Sequence, residues 1–450
     1  LTDAFVARAF ALSPARLAFR LEGDAAAARL AVQGEAGGAR LDLSVAPGEN
    51  GAPAALRGRI EAPDAAILLR QAGVPVIPLK GLGAGRADMQ ATRAGEGAWA
   101  TRASIALAGL KADFAGDVRV VDDGLSGEGG FNASAGDLTP VMQILALGAP
   151  HGAVPLSASG RVTFAPSQIA IAGLGADIAG AAIKGGLTRT AGDIWRGDLA
   201  FDRLSAPFLA SLVLGPSQPV RAGAVWSELK FAPQTIDPPD ADIVVAVARL
   251  AVGAGEATNA RAGLRLGPGL VEARDVTASY GGAQIAGALA LRRDGALASL
   301  RARVETGALD FAAPPFSLSA EVRMEAAGAG ASMAELVGSL GGAGRLSIAQ
   351  AAIARAAPQA LARTLADIES GDATFEPARV ARALERGFDA GAQMIGANAA
   401  DIGLAAGRLS LAPLALRFGA AQARISGALD LRALSLDIRE QIETDPPRDW

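Results

Sequence analysis

The chain has few of the side chains that carry out covalent or metal chemistry. It contains one histidine, His151, and no cysteine. His151 stands in "GAPHGAV" among turn-forming residues, and as a general base it would need an orienting acid and a nucleophile beside it. Zinc would have to be held by carboxylates and one imidazole, against its preference for His and Cys ligands. We therefore predict a solvated loop histidine, no metal or cofactor, and no enzymatic activity.

The glycine-rich stretches do not match a nucleotide-binding motif. Pairs of the form G-x-G begin at Gly81, Gly173, Gly253 and Gly328, but the third glycine of the dinucleotide fingerprint follows none of them at the required spacing. The sequence also lacks a Walker A motif and a G-x-S-x-G nucleophile elbow. Asp and Glu are spread along the chain, so no glycosidase pair can be singled out. Turns and bulges are the predicted role of these glycines.

The charge balance does not favour a nucleic-acid partner. Lys and Arg total 42 and Asp and Glu total 46, which gives a formal charge of −4, and only 4% of the residues are aromatic. A single-strand binding surface combines basic residues with stacked aromatic rings, and neither cluster is present. Four arginines on the polar positions of strand-like segments could contact lipid phosphates, although a solvated strand face is the favoured interpretation: Arg292, Arg417, Arg432 and Arg439.

The elements that would position any functional residue are mostly strands. In "ARISGALDLRALSLDIRE" (423–440) apolar and polar residues alternate almost without interruption, which predicts strands with one apolar and one wet face. Similar segments recur along the chain, at 28–36, 39–47, 104–120, 156–173, 242–252 and 316–326. Gly37 and Gly38 predict a hairpin turn between the first two. The apolar half of the composition is mainly Ala, Leu, Val and Ile, with 56 glycines.

The sequence shows internal repetition. "QIAGALALRR" (284–293) and "RISGALDLRA" (424–433) share a pattern, and "AAIKGGLTR" (181–189) is a weaker copy. Short helices with a capping Asp or Ser and a final Gly are predicted at 64–73, 137–148 and 205–215, and a capping box at Ser332 and Glu335 predicts a fourth at 332–340. Their spacing indicates a repeated unit of about 70 residues.

A longer helical region interrupts the strands near the C-terminal end. Apolar residues at helical spacing in 358–370 and in 376–391, where they are Val380, Leu384 and Phe388, predict an αα-hairpin within a helical insertion of about 354–397. The hairpin would either plug one end of the sheet or lie across its apolar face. The predicted domains are a repeating β-groove region, 1–315, and a C-terminal region, 316–450.

Three arrangements would accommodate the apolar face of so many strands. Two sheets could cover each other in a sandwich, coils could stack into a β-helix, or one curled sheet could leave an open trough, which would bind acyl chains. Periodicity does not choose between them. If the sheet forms an open trough, examples of the residues that line it are Ile285, Leu289, Leu291, Leu414, Leu416, Ile425, Leu429 and Leu431.

About the last 125 residues resemble a known family. The segments "EAAGAGASMAELVGSLGGAGRLSIAQAAI" (325–353) and "GRLSLAPLALRFGAAQARISGALDLRALSLDIR" (407–439) are similar to the C-terminal region of the AsmA-like proteins of the Gram-negative envelope. The resemblance implies an elongated β-groove, although the αα-hairpin is long for this family. The predicted fold is therefore mainly β: an elongated, curled antiparallel β-sheet groove built from repeats, with short punctuating helices and one C-terminal αα-hairpin. These are packing motifs, so no functional residue is carried over from them.

The resemblance also implies a function and a location. AsmA-like proteins are periplasmic, are tethered to the inner membrane by an N-terminal helix, and are thought to conduct phospholipids between the inner and outer membranes. We therefore expect a non-enzymatic lipid-transfer scaffold whose partners are phospholipids and a membrane. The chain begins with Leu1, and we expect it to be a piece of a longer protein whose anchor lies outside it. An alternative is an envelope structural or assembly factor that affects outer-membrane protein insertion through exposed strand edges.

Overall fold

The computed structural model describes residues 13–24, 28–48, 53–71, 76, 83–95, 97–122, 124–144, 153–190, 192, 194–232, 239–357, 359–370, 376–418 and 421–444. These residues form 25 strands and six helices, and no strand pairing given for them is parallel. In chain order the elements are β1 (Ala15–Glu22), β2 (Arg29–Ala36), β3 (Ala39–Pro47), β4 (Pro53–Ala62), α1 (Ala65–Gln71), β5 (Gly85–Arg93), β6 (Ala98–Leu107), β7 (Leu110–Val121), β8 (Gly124–Ala135), α2 (Thr139–Ile144), β9 (Leu156–Ala165), β10 (Gln168–Ile178), β11 (Ala181–Thr190), β12 (Trp195–Ser205), α3 (Ala206–Leu214), β13 (Ala241–Val252), β14 (Gly255–Gly267), β15 (Leu270–Tyr280), β16 (Ala283–Asp294), β17 (Leu297–Thr306), β18 (Leu309–Ala313), β19 (Phe316–Gly330), α4 (Met333–Gly338), β20 (Gly341–Ala354), α5 (Ala360–Glu369), α6 (Pro377–Asp389), β21 (Ala392–Ile395), β22 (Asn398–Ala405), β23 (Arg408–Phe418), β24 (Ala421–Asp430) and β25 (Ser435–Thr444).

The chain divides into two compact units. The first comprises Leu1–Leu204, Gln234–Ala248 and Arg265–Pro268, and the second comprises Ser205–Pro233, Arg249–Leu264 and Gly269–Trp450. The predicted domain boundary at residue 315 stays a prediction.

In the first unit β1 to β12 form a simple meander, in which each strand pairs with the next one in the chain. The predicted hairpin at Gly37–Gly38 is confirmed, because both glycines have positive φ (56° and 84°), as a tight β-hairpin turn requires. Helix α1 follows the first four strands and α2 follows the next four. The predicted repeat therefore corresponds to four strands and a helix.

The polar face of the first unit explains why the register does not slip. Arg16, Glu35, Arg40, Glu61 and Arg86 lie opposite one another on five successive strands, so the sign of the charge alternates across the sheet. A slip by one residue would exchange this face with the apolar one. Alternating charges and an apolar reverse face thus specify the same pairing.

Helices α1 and α2 lie at one margin of the first unit's sheet, which we call the helix margin. There Ala65 of α1 and Val141 near α2's centre belong to one buried cluster with Leu107 and Ala108. Asp64 and Asp137 cap the two helices by accepting hydrogen bonds from Ala66 N (2.9 Å) and Thr139 N (2.9 Å). The opposite margin is formed by the connections that follow β1, β3, β5, β7, β9 and β11, and we call it the turn margin.

The second unit contains a similar meander from β15 to β25, with β18 and β21 as short side strands on β19 and β20. The repeated segments 284–293 and 424–433 each form one strand of a hairpin whose other strand has a β-bulge. The register shifts between Ala273 and Val276 opposite β16, and between Leu411 and Leu414 opposite β24. The third copy, β11, also faces a shift, in β10 of the first unit.

Helices α3 and α4 close one margin of the second unit. Ser332 caps α4 by accepting a hydrogen bond from Glu335 N (3.1 Å), and the Glu335 carboxylate accepts one from Ala331 N (2.8 Å). The predicted capping box is therefore present in a variant form, because the reciprocal bond goes to the residue before the cap. The Arg293 guanidinium, at the end of β16, donates to the carbonyl oxygens of Leu214 (3.2 Å) and Ala232 (2.6 Å) and holds the C-terminal end of α3.

The predicted αα-hairpin is confirmed as α5 and α6. Val380, Leu384 and Phe388 are half-buried, and the two helices contact each other closely where Gly387 meets Ala360. Arg355, which follows β20, and Asp389, the last residue of α6, form a bidentate ion pair (2.8 and 3.2 Å). The hairpin connects β20 to β21 at the margin opposite α4.

The predicted fold class is confirmed: the chain is mainly β, and each unit is an open, curled antiparallel sheet with few short helices. Exposed and half-buried residues alternate along β7, β9, β12 and β19, whereas one parity is buried along β13 and β22. The larger contacts between strands follow the strand pairing. A sandwich would bury one parity fully beneath a second sheet. Within the described residues neither unit has such a second layer.

Candidate functional site

Among the described residues no three His, Asp or Glu side chains are arranged to hold a metal ion. His151 lies outside the described residues. No helix in the described part of the chain has the length and apolar character needed to cross a bilayer. The features that remain are the continuous apolar faces of the two units.

On the first unit an unbroken apolar row crosses all twelve strands of the meander. The register places its members opposite one another in this order: Leu17, Gly34, Leu41, Ile60, Ala87, Ile105, Ala112, Ala133, Ala158, Ala176, Ile183 and Phe201. No polar side chain interrupts the row. At about 4.8 Å per strand, its eleven steps make an apolar path of about 53 Å along the sheet.

Rows beside this one have the same character. Phe19, Val32, Leu43, Gly58, Met89, Ala103, Phe114, Phe131 and Gly160 follow one another across nine strands. Several of their side chains are open to solvent: Phe19 is 70% exposed and Met89 is 39% exposed. Thr101 lies on the same face, but its hydroxyl donates to Trp99 O (3.0 Å) and is therefore satisfied locally.

A cavity of about 450 Å³ lies on this face. Most of its lining comes from the apolar rows, including Leu43, Ile60, Met89, Phe114 and Phe131. The rings do not fill the space, because each lies close to a glycine on a neighbouring strand: Phe114 beside Gly129 and Phe131 beside Gly160. An open apolar concavity of this kind fits a flexible hydrocarbon chain.

The second unit repeats the arrangement over nine strands. Ala273, Leu289, Ala302, Ala326, Gly342, Leu404, Leu409, Leu429 and Leu436 lie opposite one another from β15 to β25. Leu436, on the last strand, is 66% exposed. Two of the residues predicted from the sequence, Leu289 and Leu429, are members of this row.

Seven of the eight predicted lining residues lie on one face of the second unit. They differ in access to solvent: Leu289 is exposed, and Ile285 and Leu429 are half-buried. Four others are buried by neighbouring apolar side chains and so belong to the supporting core: Leu291, Leu414, Leu416 and Ile425. The eighth, Leu431, follows β24 and packs in a cluster with Trp226 and α4 residues, and its carbonyl accepts the Trp226 indole N–H (2.7 Å).

The predicted examples came from the second unit alone, and they missed the longer apolar face of the first. The signal for that face was present, because 28–47 and 104–120 alternate in the same way. What the sequence did not provide was the register that aligns Leu41, Ile60 and Ile105 into one row.

The opposite face of each sheet is charged. In the first unit the Asp88 carboxylate accepts from Arg86 (2.5 Å) and Arg59 (2.8 Å), and hydrogen bonding to Arg86, supported by Arg59, lowers the pKa of Asp88. In the second unit a cavity of about 540 Å³ is lined both by members of the apolar row, including Leu289, and by the charged residues Glu272, Arg301, Arg303 and Glu325.

Comparisons with protein-family models, with curated proteins and with solved structures found no match.

Proposed function

We propose that this chain is a lipid-binding and lipid-transfer scaffold, in which acyl chains lie along the apolar rows of the curled sheets. The observation that carries the proposal is the row from Leu17 to Phe201, which crosses twelve strands without a polar side chain. Leu17 is exposed and the other members of the row are half-buried, so none of them is fully covered. A contiguous apolar surface of this extent on a protein marks a binding face, because it is costly to leave in water.

The character of the rows supports transfer rather than tight storage. Their side chains are neutral and small or flexible, and no hydrogen-bonding group inside the rows selects one position along them. A chain bound there meets nearly equivalent neighbours at every strand step. Little free energy then separates successive positions, which is the condition for sliding.

The resemblance of 325–353 and 407–439 to the AsmA-like family supports a setting for this activity. We propose that the protein works in the periplasm of a Gram-negative envelope, tethered to the inner membrane by a helix outside this chain. It would conduct phospholipids between the inner and outer membranes. No catalytic step and no cofactor is part of the proposal.

The test uses charge on the apolar face. The purified protein is extracted with organic solvent, and the lipids are identified and counted by mass spectrometry. Met89→Asp with Leu289→Asp should remove most co-purifying phospholipid, because a carboxylate is costly to bury beside acyl chains. Gln90→Asp with Ala288→Asp places the same charges on the same strands but on the polar face, and should retain the lipid. Equal lipid in both variants, with unchanged β content, would refute the proposal.

One observation favours the alternative of an envelope assembly factor. All eight residues of β1 are exposed, and among the described residues β1 pairs with β2 alone. A partner strand could add to this edge through its backbone groups. Ala18→Pro or Phe19→Pro, whichever residue has its N–H pointing away from β2, should block such pairing. Met89→Asp with Leu289→Asp should leave the pairing intact, because it changes no edge strand.

A further inference from the structure

The apolar face of the first unit changes character in a row near the turn margin. This row crosses eight strands, β5 to β12, and its members are Arg93, Trp99, Val118, Gly127, Phe164, Ile169, Arg189 and Trp195. An Arg–Trp pair on adjacent strands stands at each end, and four apolar residues lie between the pairs. We call the two pairs the rim pairs.

The rim pairs are distinct from the rest of this face. On the apolar parity of β1 to β12 the charged residues are all arginines: Arg93, Arg189 and Arg203. Arg203 is at the end of β12, toward the helix margin, beside Asp202 (3.5 Å). Trp99 and Trp195 are two of the four tryptophans in the chain, and both are half-buried. Both charge and indole are therefore concentrated in this row near the turn margin.

Backbone hydrogen bonds hold the strand ends that carry the two rim pairs. The turn after Arg93 is closed by a hydrogen bond from Ala94 N to Ala98 O (2.9 Å), one residue before Trp99. Trp195 N donates to Asp240 O (2.8 Å). The side chains thus stand on strand ends, and the apolar rows begin directly behind them: along β6 Trp99 is followed on the same face by Thr101, Ala103 and Ile105.

The chemistry of the pairs matches one part of a phospholipid. An arginine guanidinium presents a fork of N–H donors that fits the oxygens of a phosphate. An indole has an apolar body and one N–H donor, and tryptophan is enriched where membranes meet water for that reason. A phosphate at Arg93 or Arg189 would leave the attached acyl chains over the rows that lead toward the helix margin.

We propose that the rim pairs Arg93–Trp99 and Arg189–Trp195 are headgroup sites, which bind the phosphate of a glycerophospholipid whose acyl chains occupy the apolar rows. The two sites lie six strand steps apart, about 29 Å along the sheet. This inference rests on the proposed function, and it adds the headgroup sites and the orientation: phosphate at the turn margin and acyl chains inward.

The test separates the two parts of the ligand. Binding of three soluble probes is measured by titration calorimetry: dihexanoyl phosphatidate, dihexanoylglycerol and glycerol 3-phosphate. For the unaltered protein we expect phosphatidate to bind about tenfold more tightly than dihexanoylglycerol, since charge-assisted hydrogen bonds are added. Arg93→Glu with Arg189→Glu should lower this ratio to about one, and Arg93→Lys with Arg189→Lys should give an intermediate value because the charge remains without the fork.

The matched control places the same charge changes on the polar face. Arg119 and Arg161 are exposed there, on β7 and β9. Arg119→Glu with Arg161→Glu should leave the ratio unchanged. A ratio that stays near tenfold in the Arg93/Arg189 variant would overturn this inference but not the proposed function, and so would glycerol 3-phosphate binding as tightly as phosphatidate. If neither diacyl probe binds the unaltered protein, the proposed function is refuted, and the assignment of the rim pairs as headgroup sites is refuted with it.

Discussion

The ring of Phe131 on β8 lies over Gly160 on β9. A Cβ atom built on Gly160 would be 3.0 Å from Cε1 and 3.2 Å from Cζ of that ring, closer than side chains normally pack. Phe114 has the same relation to Gly129 (2.6 Å) and Phe164 to Gly127 (2.9 Å). Glycine therefore allows large rings to lie down on the sheet instead of standing upright in the trough. The apolar face keeps both its aromatic surface and its open space.

Gly160→Leu should close part of this space. The new side chain would displace the Phe131 ring away from the sheet and into the cavity that Phe131 lines. We expect a clear decrease in co-purifying lipid, measured by mass spectrometry, and destabilisation of about 1–3 kcal/mol from overpacking. Gly130→Leu is the control, because Gly130 is on the polar face and the nearest atom to its added Cβ is 4.0 Å away. The proposal of a lipid trough is contradicted if both variants carry the same lipid.

Arg293 should be essential for the stability of the second unit. Besides Leu214 O and Ala232 O, its guanidinium donates to Gly295 O (2.9 Å) and Phe231 O (3.2 Å), and it lies 5.8 Å from the Phe231 ring centre. Burial lowers the pKa of Arg293, whereas the carbonyl oxygens that accept from its guanidinium favour the charged form. Arg293→Met would leave these carbonyls without their donor and should lower the free energy of unfolding by about 3 kcal/mol, measured with urea.

Arg292 provides the comparison for Arg293. It is the preceding residue on β16, is exposed, and faces the other side of the sheet. Arg292→Met should change the free energy of unfolding by less than about 0.5 kcal/mol. Similar losses for the two variants would show that the carbonyl contacts of Arg293 contribute little.

Asp88 should make the stability of the first unit depend on pH in the acid range. Its pKa is lowered chiefly by the hydrogen bond from Arg86, so the folded state binds a proton less readily than the unfolded state. The stabilisation is fully present above the unfolded pKa of about 3.9 and is lost as the pH falls through the lowered folded value. Asp88→Asn should therefore cost about 0.5–1 kcal/mol at pH 7, and the difference from the unaltered protein should vanish in strong acid.

The comparison for Asp88 is Asp113, which is exposed on the same polar face. Asp113→Asn removes the same charge without breaking the contacts with Arg59 and Arg86. It should change the thermal unfolding midpoint less than Asp88→Asn at neutral pH, and added salt should reduce the difference. A constant offset for Asp88→Asn from neutral pH to strong acid would contradict the assigned role of the ion pairs.

Much of the fold could be predicted because its signals are local. Alternation along 423–440 indicates strands whatever their partners, and the caps at Asp64, Asp137 and Ser332 indicate where short helices begin. The echo between 284–293 and 424–433 also has a local cause, since each is the straight strand opposite a bulge. These features depend on backbone geometry and on neighbours close in the chain.

The site was less predictable because it depends on register. Leu291 and Leu289 have the same parity on β16, yet one is buried at the margin beside Leu300 and the other is exposed in the middle of the face. Alternation reveals the face on which a side chain lies but not the row or its distance from a margin. For the same reason Arg93 and Arg189, 96 residues apart in the chain, could not be assigned to one row before the pairings were known.

The succession of four strands and a helix has a consequence for how such a protein can change length. An even number of antiparallel strands returns the chain to the margin from which it started, so a whole unit can be duplicated or deleted while the flanking strands keep their direction and their apolar side. Loss of a single strand would reverse every strand after it. Gene duplication in steps of four strands and a helix is therefore the simplest evolutionary route by which the sheet could become longer.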